Sequence, residues 1–221
     1  MSPRTVFEQE LEQLMKKVAE MGKLAETGYE KLVSAAGEND TEALEALLQS
    51  DRQMTDMLRG IEARCLAIMT RQQPVARDLR LVTAVLKAVT DVERIGDHVS
   101  DMADLFLRRE APLEEAGEDK LLLTMMREAG AMVRESVAAF AEGDGETARM
   151  VIDSDDVVDD LFNRVKEETV KAIRGGSMDA DRAVDTLMAA KYLEKVGDHA
   201  VNIGEWTLFR ITGEIGGRKV Y

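Results

Sequence analysis

The sequence predicts an all-α protein built as two tandem three-helix bundles from an internal duplication, with six long antiparallel helices. Three observations predict it. Apolar residues recur at helical spacings almost from end to end of the 221 residues, with few breaks. Aromatic residues make up only 4% and prolines number 3, a balance that favours helix over sheet. Finally, Glu93-Arg94-Ile95-Gly96-Asp97-His98 reappears 101 residues later as Glu194-Lys195-Val196-Gly197-Asp198-His199. The only two histidines of the chain fall at the same place in both copies.

The elements follow in order. Leu11, Leu14, Val18, Met21, Ala25 and Leu32 form one stripe of a first helix, from Thr5 to about Ser34. Gly37-Glu38-Asn39-Asp40 ends it, and Asp40 is placed to N-cap a second helix that runs to about Arg71. Pro74 stands at or near the first turn of a third helix, where its missing N–H costs nothing. That helix carries the first motif to about Arg109, and Ala111-Pro112 separates the halves, giving domains of 1–110 and 111–221. A fourth helix spans about Leu113 to Ala141, Gly143-Asp144-Gly145 turns the chain, and a fifth runs to Ile173. Gly175-Gly176-Ser177 breaks it, and a sixth, opened near Met178, carries the second motif to about Ile211. The tail Gly216-Gly217-Arg218-Lys219 is expected to fray, and no β structure is required.

Composition narrows the function. A net charge of −14 repels phosphate backbones and anionic lipid, which argues against nucleic-acid binding while leaving room for a local basic patch. One cysteine, Cys65, forbids an intramolecular disulfide and fits a reducing compartment. The N-terminus has no apolar leader segment, and no uncharged apolar run reaches the roughly 18 residues of a membrane span. The expectation is a soluble cytoplasmic protein with no transmembrane segment.

The motif places acids on a stripe that should be apolar. Val82, Leu86 and Val89 lead at helical spacing to Glu93, then Gly96 and Asp97; Ala183, Leu187 and Ala190 lead to Glu194, Gly197 and Asp198. Asp101 continues the first face. On the preceding helix of the second half, Asp155 and Asp159 form an i, i+4 pair; the matching positions of the first half are Asp51 and Thr55. Like charges gathered on a buried stripe need a cation, hydrogen-bond donors or protonation. Converging carboxylates in a helix bundle are a way to hold Fe, Mn, Mg or Ca. The candidate ligands are therefore Glu93, Asp97, Asp101, Asp155, Asp159, Glu194 and Asp198. The competing reading pairs these acids with Arg94, Lys195, Arg77 and Arg80. Gly96 and Gly197, costly inside helices, suggest a close approach by a neighbouring helix or a ligand. His98 and His199 read as flank or interface residues rather than ligands.

Three stretches, Gln73-Pro74-Val75-Ala76-Arg77-Asp78-Leu79-Arg80, Glu93 to Asp97, and Lys191-Tyr192-Leu193-Glu194 through Asp198-His199-Ala200-Val201-Asn202, resemble the PhoU family of phosphate-specific transport accessory proteins. The resemblance covers essentially the whole chain. It implies two tandem three-helix bundles, a homodimer, and in some members a multinuclear metal cluster on the E/D-x-x-x-D helices, iron first, with zinc, manganese or magnesium as alternatives. It also implies a negative regulator of the phosphate-starvation response that modulates phosphate uptake. Its partners would be the ATPase subunit of a phosphate ABC transporter and the phosphate sensor histidine kinase, at the inner membrane through those partners. Thr55, and Asn202 opposite Asp101 in the repeat, depart from a symmetric acid pattern. The alternatives are a carboxylate-bridged di-metal oxidase and a metal-free structural or adaptor bundle. The first lacks the Glu-x-x-His spacing such sites use, since Ile95 and Val196 stand three residues before the histidines. No Ser-His or Cys-His arrangement and no Gly-rich phosphate loop is readable, so an enzyme is not expected.

Overall fold

The computed structural model describes residues 3–114, 119–215 and 218–219. The first half is three long helices, α1 (Pro3–Glu38), α2 (Thr41–Gln72) and α3 (Ala76–Leu107). The second has α4 (Asp119–Glu142), α5 (Gly145–Asp153), α6 (Asp155–Gly175) and α7 (Ala180–Thr212). Asp40 caps α2 by accepting from the Ala43 amide at 3.0 Å, and Asp144 and Asp179 cap α5 and α7 in the same way.

The fifth helix of the sequence reading is split. Ser154 Oγ donates to the Met150 carbonyl at 2.7 Å, while the Ser154 amide reaches both Met150 and Val151 carbonyls. Such back-bonding bends a helix without Pro or Gly to announce it. Leu113 lies outside any helix; its amide donates to the Ala36 carbonyl at 2.9 Å, which ties the connector to the end of α1. The tail also departs from expectation. Gly213, at φ +80°, closes α7, and Glu214–Ile215 pairs antiparallel with Arg218–Lys219; Gly216 and Gly217 lie outside the described residues.

The core runs through both halves as one cluster, with Leu14, Leu32, Ile95, Met102, Leu122, Met126, Leu193 and Ile203 all fully buried. Helices α3 and α7, which carry the two motifs, form the most extensive helix pair, and α1 against α4 makes a second junction. This junction is tight. A Cβ added at Gly22 would sit 2.3 Å from Val137 Cγ1, and one at Gly130 would sit 2.8 Å from Tyr29 Cε1. Tyr29 is buried there, donating its hydroxyl to the Met126 carbonyl at 2.8 Å, and burial raises its pKa.

Candidate functional site

The seam between α3 and α7 brings the two motif histidines face to face. His98 stacks on His199 with centroids 5.6 Å apart, and on Tyr192 at 5.4 Å. On the other side of the pair, Asp91 Oδ1 lies 2.9 Å from His199 Nδ1 and accepts from Asn202 Nδ2 at 3.0 Å. Tyr192 is the repeat counterpart of Asp91, so one histidine meets an aromatic ring where the other meets a carboxylate. Burial lowers the pKa of His98, although Asp101 opposes the shift from 3.5 Å. Asp101 itself is exposed and faces this seam. The sequence reading placed the histidines at an interface; it missed Asp91. The one signal was an acid at helical spacing from Ala84, Ala88 and Ile95, a stripe otherwise apolar.

In the first half Glu93 and Asp97 each meet a donor. Thr55 Oγ1 donates to Glu93 Oε1 at 3.4 Å, and Arg94 Nη1 lies 3.1 Å from Asp97 Oδ2. The Asp51 side chain lies outside the description.

In the second half Asp155, Asp159, Glu194 and Asp198 act on one another. The carboxyls of Asp155 and Asp159 are raised above the usual value, first by burial and then by the neighbouring acids. Lys191 pairs with Glu194, and Lys195 with Asp198, lying also 3.7 Å from Glu194 Oε2. The Asp198 carboxylate, foremost, raises the Lys195 pKa. Lys191 further sits over the Phe162 ring, 5.3 Å from its centroid. Among the described residues, no three His, Cys, Asp or Glu side chains converge as a group able to hold a metal ion. In charge and donor type the second-half acids suit a hard cation, which would have to replace the two lysines as their counter-charge. With Thr55 standing where the second half has Asp159, the first-half acids suit it less well.

The repeat glycines are not close contacts. A Cβ on Gly96 would meet Met54 at 3.4 Å, and one on Gly197 would meet Asp155 Oδ1 and Val158 Cγ1 at 3.5 Å, both ordinary van der Waals distances. The helices of this bundle approach most closely elsewhere, at Gly22, Gly130 and Gly204.

A family model described as the PhoU domain matches the chain twice, over residues 18–106 and 122–207. The chain belongs to the PhoU family. A PhoU homolog of Clostridium acetobutylicum, named as a phosphate-specific transport system accessory protein, is 32% identical over 214 residues, 96% of each chain. A Pseudomonas aeruginosa relative with the same name is 33% identical over 94% of this chain and 86% of its own. The crystal structure of PhoU from Pseudomonas aeruginosa superposes with a TM-score of 0.88 at 30% identity, covering 94% of this chain and all of that one. The phosphate transport system regulatory protein PhoU from Streptococcus pneumoniae, at 24% identity and a TM-score of 0.86, shows the same fold. The two PhoU domains each contain one copy of the six-residue motif, so the all-α duplication read from the repeat is the family architecture. No helix among the described residues is long and apolar enough to cross a membrane.

Proposed function

We propose that this chain is a non-enzymatic accessory protein of phosphate transport, and that it acts as a negative regulator of the phosphate-starvation response. In this reading it couples a phosphate ABC transporter to the sensor histidine kinase by presenting helical surfaces to the ATPase subunit and to the kinase. It works in the cytoplasm, at the inner membrane only through those partners, and as a homodimer. The observation that carries the proposal is the match along nearly the full chain to relatives named as phosphate-specific transport accessory proteins, in both repeats. A cofactor reading attaches to it. Asp155, Asp159, Glu194 and Asp198 would hold a hard metal ion, iron first, with Glu93 and Asp97 forming a weaker counterpart. Such an ion would supply charge neutralisation and a link between α6 and α7.

Deleting the gene in a phosphate-replete host tests the regulation. Phosphate-scavenging genes should switch on, and the intact gene should silence them again. A silent deletion in a strain without a second copy of the family would refute the proposal. Elemental mass spectrometry of untagged protein purified without chelator tests the metal. At least one ion per chain, lost in Glu194→Ala with Asp198→Ala, supports the site, and folded metal-free protein removes it.

A further inference from the structure

The arginines are treated differently at the two ends of the α3–α7 seam. Where α3 finishes, they face acids. Arg109 Nη2 lies 2.8 Å and Arg182 Nη2 3.3 Å from the buried Asp119 carboxylate, and Arg108 pairs with Asp104 and with Asp185. At the other end, where α3 begins and α7 finishes, stand Arg77, Arg80 and Arg210, none of them paired with a carboxylate. Among the described residues none of the three makes an ion pair, and the local acids Asp78 and Glu214 do not reach them. This happens in a chain with 43 acids to choose from.

Details of the cluster point to a ligand. Arg80 lies across the end of α7, its Cδ 3.2 Å and Nε 3.6 Å from where a Cβ would stand on Gly213. The Arg80 Nε–H is buried and finds no acceptor. Arg182 Nε at the compensated end also lacks an acceptor, but Arg182 reaches Asp119 through Nη2, whereas among the described residues no acid reaches Arg80. Arg210 donates to the Phe140 carbonyl and covers the Phe140 ring at 5.4 Å. Its pKa is lowered, first by burial and then by the charge of Arg77. The backbone leading into the cluster is unusual too. Gln73 and Ala76, neither of them glycine, take φ +45° and +46°, in a region that side chains rarely adopt and that tends to mark binding segments. Val75 offers no side-chain cap to the first turn of α3. The stretch Gln73 to Arg80, distinctive in the sequence, belongs to neither carboxylate site.

We propose that this end of the seam binds a tetrahedral oxyanion of the phosphate class, with the Arg77 and Arg80 guanidinium groups as its donors and Arg210 as a neighbouring charge. Planar guanidinium forks match phosphate oxygens, and several cations together favour a dianion over a single carboxylate. The same chemistry is offered by free inorganic phosphate and by a phosphoryl group on a nucleotide. The site stands on the arginines alone and does not depend on the regulatory reading.

The test is arginine Nε–Hε NMR on the full chain, titrated with inorganic phosphate, ATP or chloride at constant ionic strength. A saturable shift of the Arg80 signal is expected with at least one phosphate ligand. Binding should weaken about tenfold or more in Arg77→Gln or Arg80→Gln, and stay unchanged in Arg108→Gln at the compensated end. A response to inorganic phosphate identifies the free anion, and a response to ATP alone identifies a carried phosphoryl group. No saturable shift with either, or a drift equal to that with chloride, overturns the proposal. Arg77 is exposed, so its variant decides the matter even if Arg80→Gln fails to fold.

Discussion

Replacing Gly197 by alanine separates two explanations for the repeat glycines. In the interior of α7 a glycine costs about 0.8–1.0 kcal/mol relative to alanine. The added methyl would meet Asp155 Oδ1 and Val158 Cγ1 at 3.5 Å and Met132 Sδ at 3.8 Å, so no atom has to move. Burying one methyl is worth up to about 0.8 kcal/mol more, less the penalty of crowding a carboxylate oxygen. The metal-free protein should therefore gain about 1 kcal/mol, a rise of about 2–4 °C in Tm for a chain of this size. Thermal unfolding followed by far-ultraviolet circular dichroism, with chelator present, measures it. Gly96→Ala, whose methyl would meet only Met54 at 3.4 Å, should behave alike. An unchanged or lower Tm in both variants would refute the reasoning, because it would mean that the space over these glycines is needed in the folded state.

Other outcomes follow from the same packing. Gly22→Ala, whose methyl would overlap Val137 Cγ1, should destabilise by about 1–3 kcal/mol, seen as a lower denaturant midpoint. Asp91→Ala leaves His199 and Asn202 without their shared acceptor at a site where Asp91 is only 13% exposed. It should cost about 1–3 kcal/mol, and Asp91→Asn less, in urea unfolding. The pH dependence has an unusual sign. The carboxyls of Asp155 and Asp159 titrate above 3.8, so at neutral pH their ionised forms cost the fold stability. That cost disappears as pH falls through the raised folded values towards 3.8. Asp155→Asn should thus raise Tm at about pH 7 and raise it much less at about pH 4; an equal gain at both would contradict the repulsion.

The helices were legible because each but α5 writes a period of three to four over about six turns or more, and because the turns at Asn39-Asp40, Gly143-Asp144 and Gly176 use residues that tolerate left-handed or capping geometry. Ser154 was not, since back-bonding of a serine leaves no mark in composition. Within the carboxylate sites, the sequence showed which acids share a helix face, and in the second half those acids do act on one another. The i, i+3 pairs Lys191–Glu194 and Lys195–Asp198 lie within α7 and their spacing is written in the sequence; that Asp101 would look across the seam is not, because it depends on how one helix is rotated against its neighbour. The contacts at Gly22 and Gly130 were hidden for the same reason. An isolated glycine looks alike in sequence whether it faces water, as the exposed Gly60 does, or the side chain of a crossing helix.

The seam also says what either half would do alone. Residues 1–110 by themselves would open to water the stripe of α3 that carries Asp91 and His98, on which Ala88, Ile95 and Met102 are nearly or fully buried in the intact chain. The surface best shaped to cover such a face is its own repeat. A half-length product would therefore self-associate through α3 about a two-fold axis, with histidine against histidine, as an isologous dimer. Joining two copies in one polypeptide removes the need for symmetry at that axis. Each repeat is then at liberty to change its partners separately, and Asp91 facing His199 while Tyr192 faces His98 is what that liberty has produced.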